Sequence, residues 1–90
     1  MSTPVGAYVL FKVASGNEKQ ALEKIANLPE VHTVALIYGE YDLIAKITVP
    51  TLHGLEDFIS NKISKIPSII LTSTMVIAQE HKGKNYRPQK

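Results

Sequence analysis

Side chains able to do chemistry gather at two places in this sequence. The first is Tyr38-Gly39-Glu40-Tyr41-Asp42, where two tyrosines and two carboxylates surround one glycine. Backbone N–H groups of such a turn can hold a carboxylate, Asp42 can hold an ammonium, and a tyrosine ring can wall the site, so the set suits a small zwitterion. The competing reading is a hairpin turn chosen for geometry, with glycine for its φ and the acids for solubility. The second place is Thr72-Ser73-Thr74, three consecutive hydroxyls that can hydrogen-bond a small polar ligand. Threonine is also favoured on an edge strand for its β-branched shape alone.

Other chemistries are poorly supplied. There is no cysteine, hence no disulfide framework and no thiolate nucleophile, which fits a reducing cytoplasm. His32, His53 and His81 show no metal-ligand spacing, and no metal is expected. Glu40 and Asp42, two apart, can share a strand face, but nothing beside them supplies a nucleophile or a third ligand. Gly16 and Gly54 each stand alone at a strand-to-helix junction, which is no phosphate-binding loop. No catalytic residue and no cofactor follow from these patterns.

The elements that must position the two clusters come from a repeat. Gly16, Glu18, Lys24, Ile25, Leu28, Pro29 and Val31 recur 38 residues later as Gly54, Glu56, Lys62, Ile63, Ile66, Pro67 and Ile69. Each copy runs from an alternating apolar stretch through an amphipathic one into a second β-rich stretch, which makes two βαβ-like units. Residues 7–14 read as a strand of β-branched and aromatic types. Ser15 with Glu18 three residues on forms a capping-box signature, Ala21, Leu22, Ile25 and Leu28 follow at helical spacing, and Pro29 ends the helix. Residues 31–38 and 42–49 form an antiparallel hairpin with Gly39 supplying positive φ. Pro50-Thr51 opens a second helix, with an apolar stripe of Leu52, Leu55, Phe58, Ile59, Ile63 and Ile66, and Pro67 closes it. Residues 69–78 are the last strand. The order βαββαβ with right-handed crossovers predicts an α+β, ferredoxin-like sandwich: a four-stranded antiparallel sheet, strands one and three central, both helices on one face.

Ninety residues make one domain, and oligomerisation is a common remedy for so small a core. The second face of the sheet points the same way. Tyr8, Leu10, Ile44, either Leu36 or Ile37, and either Met75 or Val76 are left there, beside Lys12, Lys46 and Thr48. A solvated face should be mainly polar, so another copy is expected to cover this one as a dimer. The net charge of +2 hides an asymmetry. Residues 1–78 carry six lysines against seven acids, while the tail, 79–90, carries Lys82, Lys84, Arg87 and Lys90 against Glu80. That tail can touch phosphate or an acidic partner, or simply be solvated. No leader pattern precedes residue 7 and no apolar run reaches the length of a membrane span, so a cytoplasmic protein without membrane contact is expected.

Taken together, these features resemble the effector-binding (RAM) domain of the Lrp/AsnC, or feast/famine, transcription regulators. The resemblance rests on Ala7-Tyr8-Val9-Leu10-Phe11-Lys12-Val13, on Ile66-Pro67-x-Ile69 leading to Thr72-x-Thr74, and above all on Tyr38-Gly39-Glu40-Tyr41-Asp42 followed by Leu43-Ile44-Ala45-Lys46. It covers residues 6–78, within a domain set at 1–78. The resemblance implies a non-enzymatic module whose chains pair through their sheets. It also implies dimers that gather into tetramers or octamers, and a small amino acid bound between dimers. Ligand-binding residues carried over by position are Gly39, Glu40, Tyr41, Asp42, Thr72, Ser73 and Thr74, with Glu40 at a variable place that can tune ligand choice. Only six residues precede the first strand, so the chain resembles the stand-alone forms without a helix-turn-helix. Specific DNA binding by it alone is not expected, whereas association with a full-length regulator of the family is. Rival readings are a small enzyme of the dimeric α/β-barrel monooxygenase type, a purely structural oligomerisation partner, and an ACT-type regulatory domain. The ACT-type reading places its ligand near Gly16.

Overall fold

The computed structural model describes residues 4–85. The expectation for the tail therefore falls partly, at Arg87 and Lys90, outside the described residues. The chain runs β1 (Val5–Val13), α1 (Glu18–Ala26), β2 (Val31–Leu36), β3 (Leu43–Val49), α2 (Leu52–Asp57) and β4 (Ile69–Val76). The strands form one sheet in the order β2-β3-β1-β4, each neighbouring pair antiparallel. This is the expected ferredoxin-like α+β arrangement, with β1 and β3 central and β2 and β4 at the edges.

Alternation along the central strands builds the core. Ala7, Val9, Phe11 and Val13 of β1 and Leu43, Ala45, Ile47 and Val49 of β3 are all buried on one face. The register sets Val9 beside Ala45 and Phe11 beside Leu43. Ala21 and Ile25 of α1 and Leu55, Phe58, Ile63 and Ile66 close over them, and no polar side chain among the described residues is buried in this layer.

The helices differ from the simple amphipathic expectation. The second helical run starts at Thr51, whose Oγ1 accepts from Gly54 N at 3.0 Å, but after α2 it widens to a π turn over Phe58–Lys62 and then tightens to a 3₁₀ turn over Ile63–Lys65. The apolar spacing explains the change. Leu55 to Phe58 is three residues, Phe58 to Ile63 is five, and Ile63 to Ile66 is three. A five-residue step stays on one face only with i→i+5 winding, and Ile63 N does donate to both Ile59 O and Phe58 O. Ile66 N then donates to Ile63 O at 3.0 Å, the three-residue bond. Leu52, the first residue of α2, lies outside the buried stripe, 59% exposed.

At the first helix the expected Ser15 cap is replaced. Asn17 occupies the cap position without a side-chain bond, and Glu18 Oε1 instead accepts from Gly16 N at 3.0 Å. The reach is shorter because Gly16, at φ 89°, turns the chain sharply into the helix. The 38-residue repeat thus matches the helix ends and not their starts, since Gly16 precedes α1 while Gly54 lies inside α2. Lys62 of the π turn pairs with Glu30 at 2.5 Å, tying the second helical run to the loop that follows α1.

Candidate functional site

The turn between β2 and β3 spans residues 37–42 and is closed by Ile37 N donating to Asp42 O at 2.9 Å. Gly39 has φ 154°, backbone that L side chains rarely adopt, as its place in the turn predicts. Tyr38 stands 98% exposed at the tip. Asp42 is half-buried and doubly tied to β1. Its backbone N donates to Phe11 O at 2.9 Å, and its Oδ2 accepts from Val13 N at 2.8 Å. Leu43 is the last β3 partner of β1, opposite Phe11, so Val13 N has no strand carbonyl to reach on that side. The carboxylate takes its place.

Beside the turn lies an open hollow of about 300 Å³ lined by Lys12, Glu40, Tyr41 and Leu71. Lys12 and Leu71 are cross-strand partners on the face of the sheet away from the helices, and Lys12 Nζ donates to Glu40 O at 2.8 Å. One ammonium, one acidic residue, an aromatic ring and an aliphatic side chain therefore meet at a single corner of the sheet. Of the residues singled out in the sequence, Glu40 and Tyr41 line the hollow, Gly39 shapes the turn behind it, and Asp42 anchors its base. The hydroxyl run is divided by the strand's pleat. Ser73 faces the same side, opposite Leu10, whereas Thr72 and Thr74 pair with Phe11 and Val9 and so face the helices. There they border shallow hollows shared with Ile59 of the π turn. With β1 between β3 and β4, Thr72 and the start of β3 are two strand spacings apart, about 10 Å. Lys12, absent from the sequence-derived set, had a signal: strict alternation puts it on the open face one residue beyond Phe11.

The rest of the open face carries Tyr8, Leu10, Ile44 and Met75, and the register assigns Leu36 and Val76 to the helix side. A second polar cluster crosses it. Ile77 N donates to Gly6 O at 2.9 Å and carries the chain along β1, bringing Glu80 to Lys46. The Lys46 ammonium meets the two Glu80 carboxylate oxygens at 3.0 and 2.8 Å and lies 5.9 Å from the Tyr8 ring centroid, while Tyr8 OH donates to Glu80 at 3.2 Å. The Lys46 hydrogen bond is the main cause that holds the Glu80 carboxyl below the ordinary carboxylate value; desolvation, next in size, opposes it, and the charge of Lys46, the Tyr8 hydroxyl and the charge of Lys82 add to the lowering. His32 Nε2 and Thr48 Oγ1 are 2.7 Å apart nearby. Among the described residues no cluster of histidine and acidic side chains has the makings of a metal site, and no helix is long and apolar enough to cross a membrane.

A βαββαβ sheet with a filled helix layer, an open second face and a mixed polar hollow at one turn defines a small ligand-binding module. The chain belongs to the Lrp/AsnC ligand-binding domain family, whose model matches residues 6–86. It is 32% identical over 76 residues to an uncharacterised HTH-type transcriptional regulator of Pyrococcus abyssi, a match covering 84% of this chain and 48% of that one. The chain thus spans about half the length of the curated relatives it matches. A protein of Pyrococcus horikoshii with a crystal structure is 43% identical, with a TM-score of 0.79 over 91% of this chain and 99% of that one. A transcriptional regulator of Neisseria meningitidis, solved as its L-methionine complex, shares the fold at 13% identity, with a TM-score of 0.81 over 93% of this chain and 56% of that one.

Proposed function

We propose that this chain is a non-enzymatic amino-acid sensor that works by changing its own assembly. Two copies pair through the open sheet faces, dimers associate into tetramers or octamers, and a small amino acid sits where dimers meet at the β2–β3 turn. By occupying shared interfaces the module modulates transcription regulators of its own family in the cytoplasm. The observation that carries this reading is the hollow at the turn, where Lys12, Glu40 and Tyr41 offer groups for both ends of a zwitterion. Its openness on the single chain suits a site that a neighbouring dimer completes. The open face supports pairing. Met75 is about half exposed there, next to Leu10 and Ile44, and burying each such side chain is worth about 1.5–3 kcal/mol before association costs. Among the described residues the layer between sheet and helices is packed with apolar side chains, which supports a binding module over a barrel-type monooxygenase.

A ligand that completes a site between dimers must favour the assembly that contains the site. Light scattering and thermal unfolding, run with and without each of the twenty amino acids, test the proposal. A dimer or larger ring whose mass or melting temperature shifts with one or a few amino acids is the expected result. An assembly indifferent to all twenty overturns it.

A further inference from the structure

We infer that Lys12 is the group that selects for a free carboxylate in the ligand, and that Asp42 holds the strand and not the ligand. The inference rests on the amino-acid reading and assigns the chemistry within it. Two lysines lie on the open face of the sheet. Lys46 is engaged by the Glu80 carboxylate at 2.8 Å. Lys12 is met only by a neutral carbonyl, Glu40 O, at 2.8 Å, and among the described residues no carboxylate pairs with it. An ammonium has three N–H donors, and one bond to a carbonyl leaves two for an incoming anion. The Glu40 contact also lays the lysine stem along the turn, so the ammonium is held beside the hollow before any ligand arrives.

The other anion that could meet a ligand's ammonium, Asp42, is tied to β1 and does not line the hollow. Its Oδ2 accepts from Val13 N at 2.8 Å, and its backbone closes the turn. Glu40 is the acidic residue that borders the hollow, with Tyr41 and Leu71 as its apolar walls. The fitting ligand is a zwitterion with an uncharged side chain. Its carboxylate meets Lys12, its ammonium is drawn to Glu40, and its side chain lies against Tyr41 and Leu71. A charge-assisted bond from Lys12 is the strongest single polar contact available there.

The test uses the full chain, with calorimetric titration of each of the twenty amino acids and of the matching carboxamide of any that bind. The wild-type chain should prefer the acid over the amide by at least about tenfold. Lys12→Met keeps the exposed stem and should lose affinity by a similar factor together with the acid-over-amide preference, while Lys12→Arg should keep both. Unfolding curves of the variants confirm that they fold. Unchanged affinity, or an undiminished preference for the acid in Lys12→Met, overturns the inference and leaves the sensor reading standing. A wild-type chain that binds none of the twenty overturns both.

Discussion

Replacing Asp42 tests two roles that the sequence alone would merge. Its carboxylate is the acceptor that the structure gives Val13 N beyond the end of β3, at 2.8 Å in a part-buried setting. Asp42→Ala removes that acceptor and leaves a backbone donor poorly served, which costs about 1–3 kcal/mol. Half-burial lets some water reach the N–H, which favours the lower part of that range. For a domain of this size each kcal/mol moves the melting temperature by about 4–8 °C, so a drop of roughly 5–15 °C is expected. Asp42→Asn keeps a side-chain carbonyl in place and loses only the charge assistance, so its cost should stay below about 1 kcal/mol. Thermal and urea unfolding at one fixed protomer concentration measure both, and amide hydrogen exchange at Val13 locates the effect. If Asp42→Ala unfolds within about 0.5 kcal/mol of wild type and Val13 exchanges no faster, the capping role is refuted. The same pair of variants sorts out function. Loss of amino-acid response in Asp42→Ala alone reports a damaged turn, whereas loss in the well-folded Asp42→Asn would make the charge itself a ligand contact.

Three further outcomes follow from local geometry. Gly39→Ala forces a Cβ onto φ 154° with nothing within 4 Å to clash, so its cost is purely conformational, about 1–3 kcal/mol, and an unshifted urea midpoint would mean that the turn relaxes freely. Gly54→Ala should stabilise by about 0.5–1 kcal/mol: the position is helical, and the new Cβ would meet Thr51 Oγ1 at 3.5 Å and Val49 Cβ at 3.6 Å, ordinary contacts, so a lowered melting temperature would contradict the helical assignment. The Glu80 carboxyl, held low chiefly by Lys46, stabilises the folded chain above its unfolded value, and this contribution is lost as pH falls through its lower folded value. A carbon-detected NMR titration should therefore place the Glu80 midpoint below that of an unstructured glutamate, and Lys46→Met should return it to the ordinary range.

Much of the architecture follows from local pattern. Alternation in residues 7–13 and 43–49 fixes which face of the central strands turns inward, because a period of two admits only one buried face. The order of elements and the handedness of crossovers then leave little choice of topology. The sequence by itself also marks the turn at 38–42 and its glycine. Three things were decided only in three dimensions. The pairing register sends Thr72 and Thr74 to the helix side and Ser73 to the open side, and register depends on a partner strand that the local sequence does not contain. The winding of the second helical run changes twice because Phe58, Ile63 and Ile66 must share a core whose shape β1 and β3 impose. The roles of charged groups were settled by what lay within reach: Asp42 was drawn to the N–H of Val13, Glu80 to Lys46, and Lys12 was left beside the hollow with no carboxylate partner among the described residues. Residue type tells what a side chain can do, and only its neighbours, brought from 29 and 34 positions away in the chain, determine whether that capacity is already spent.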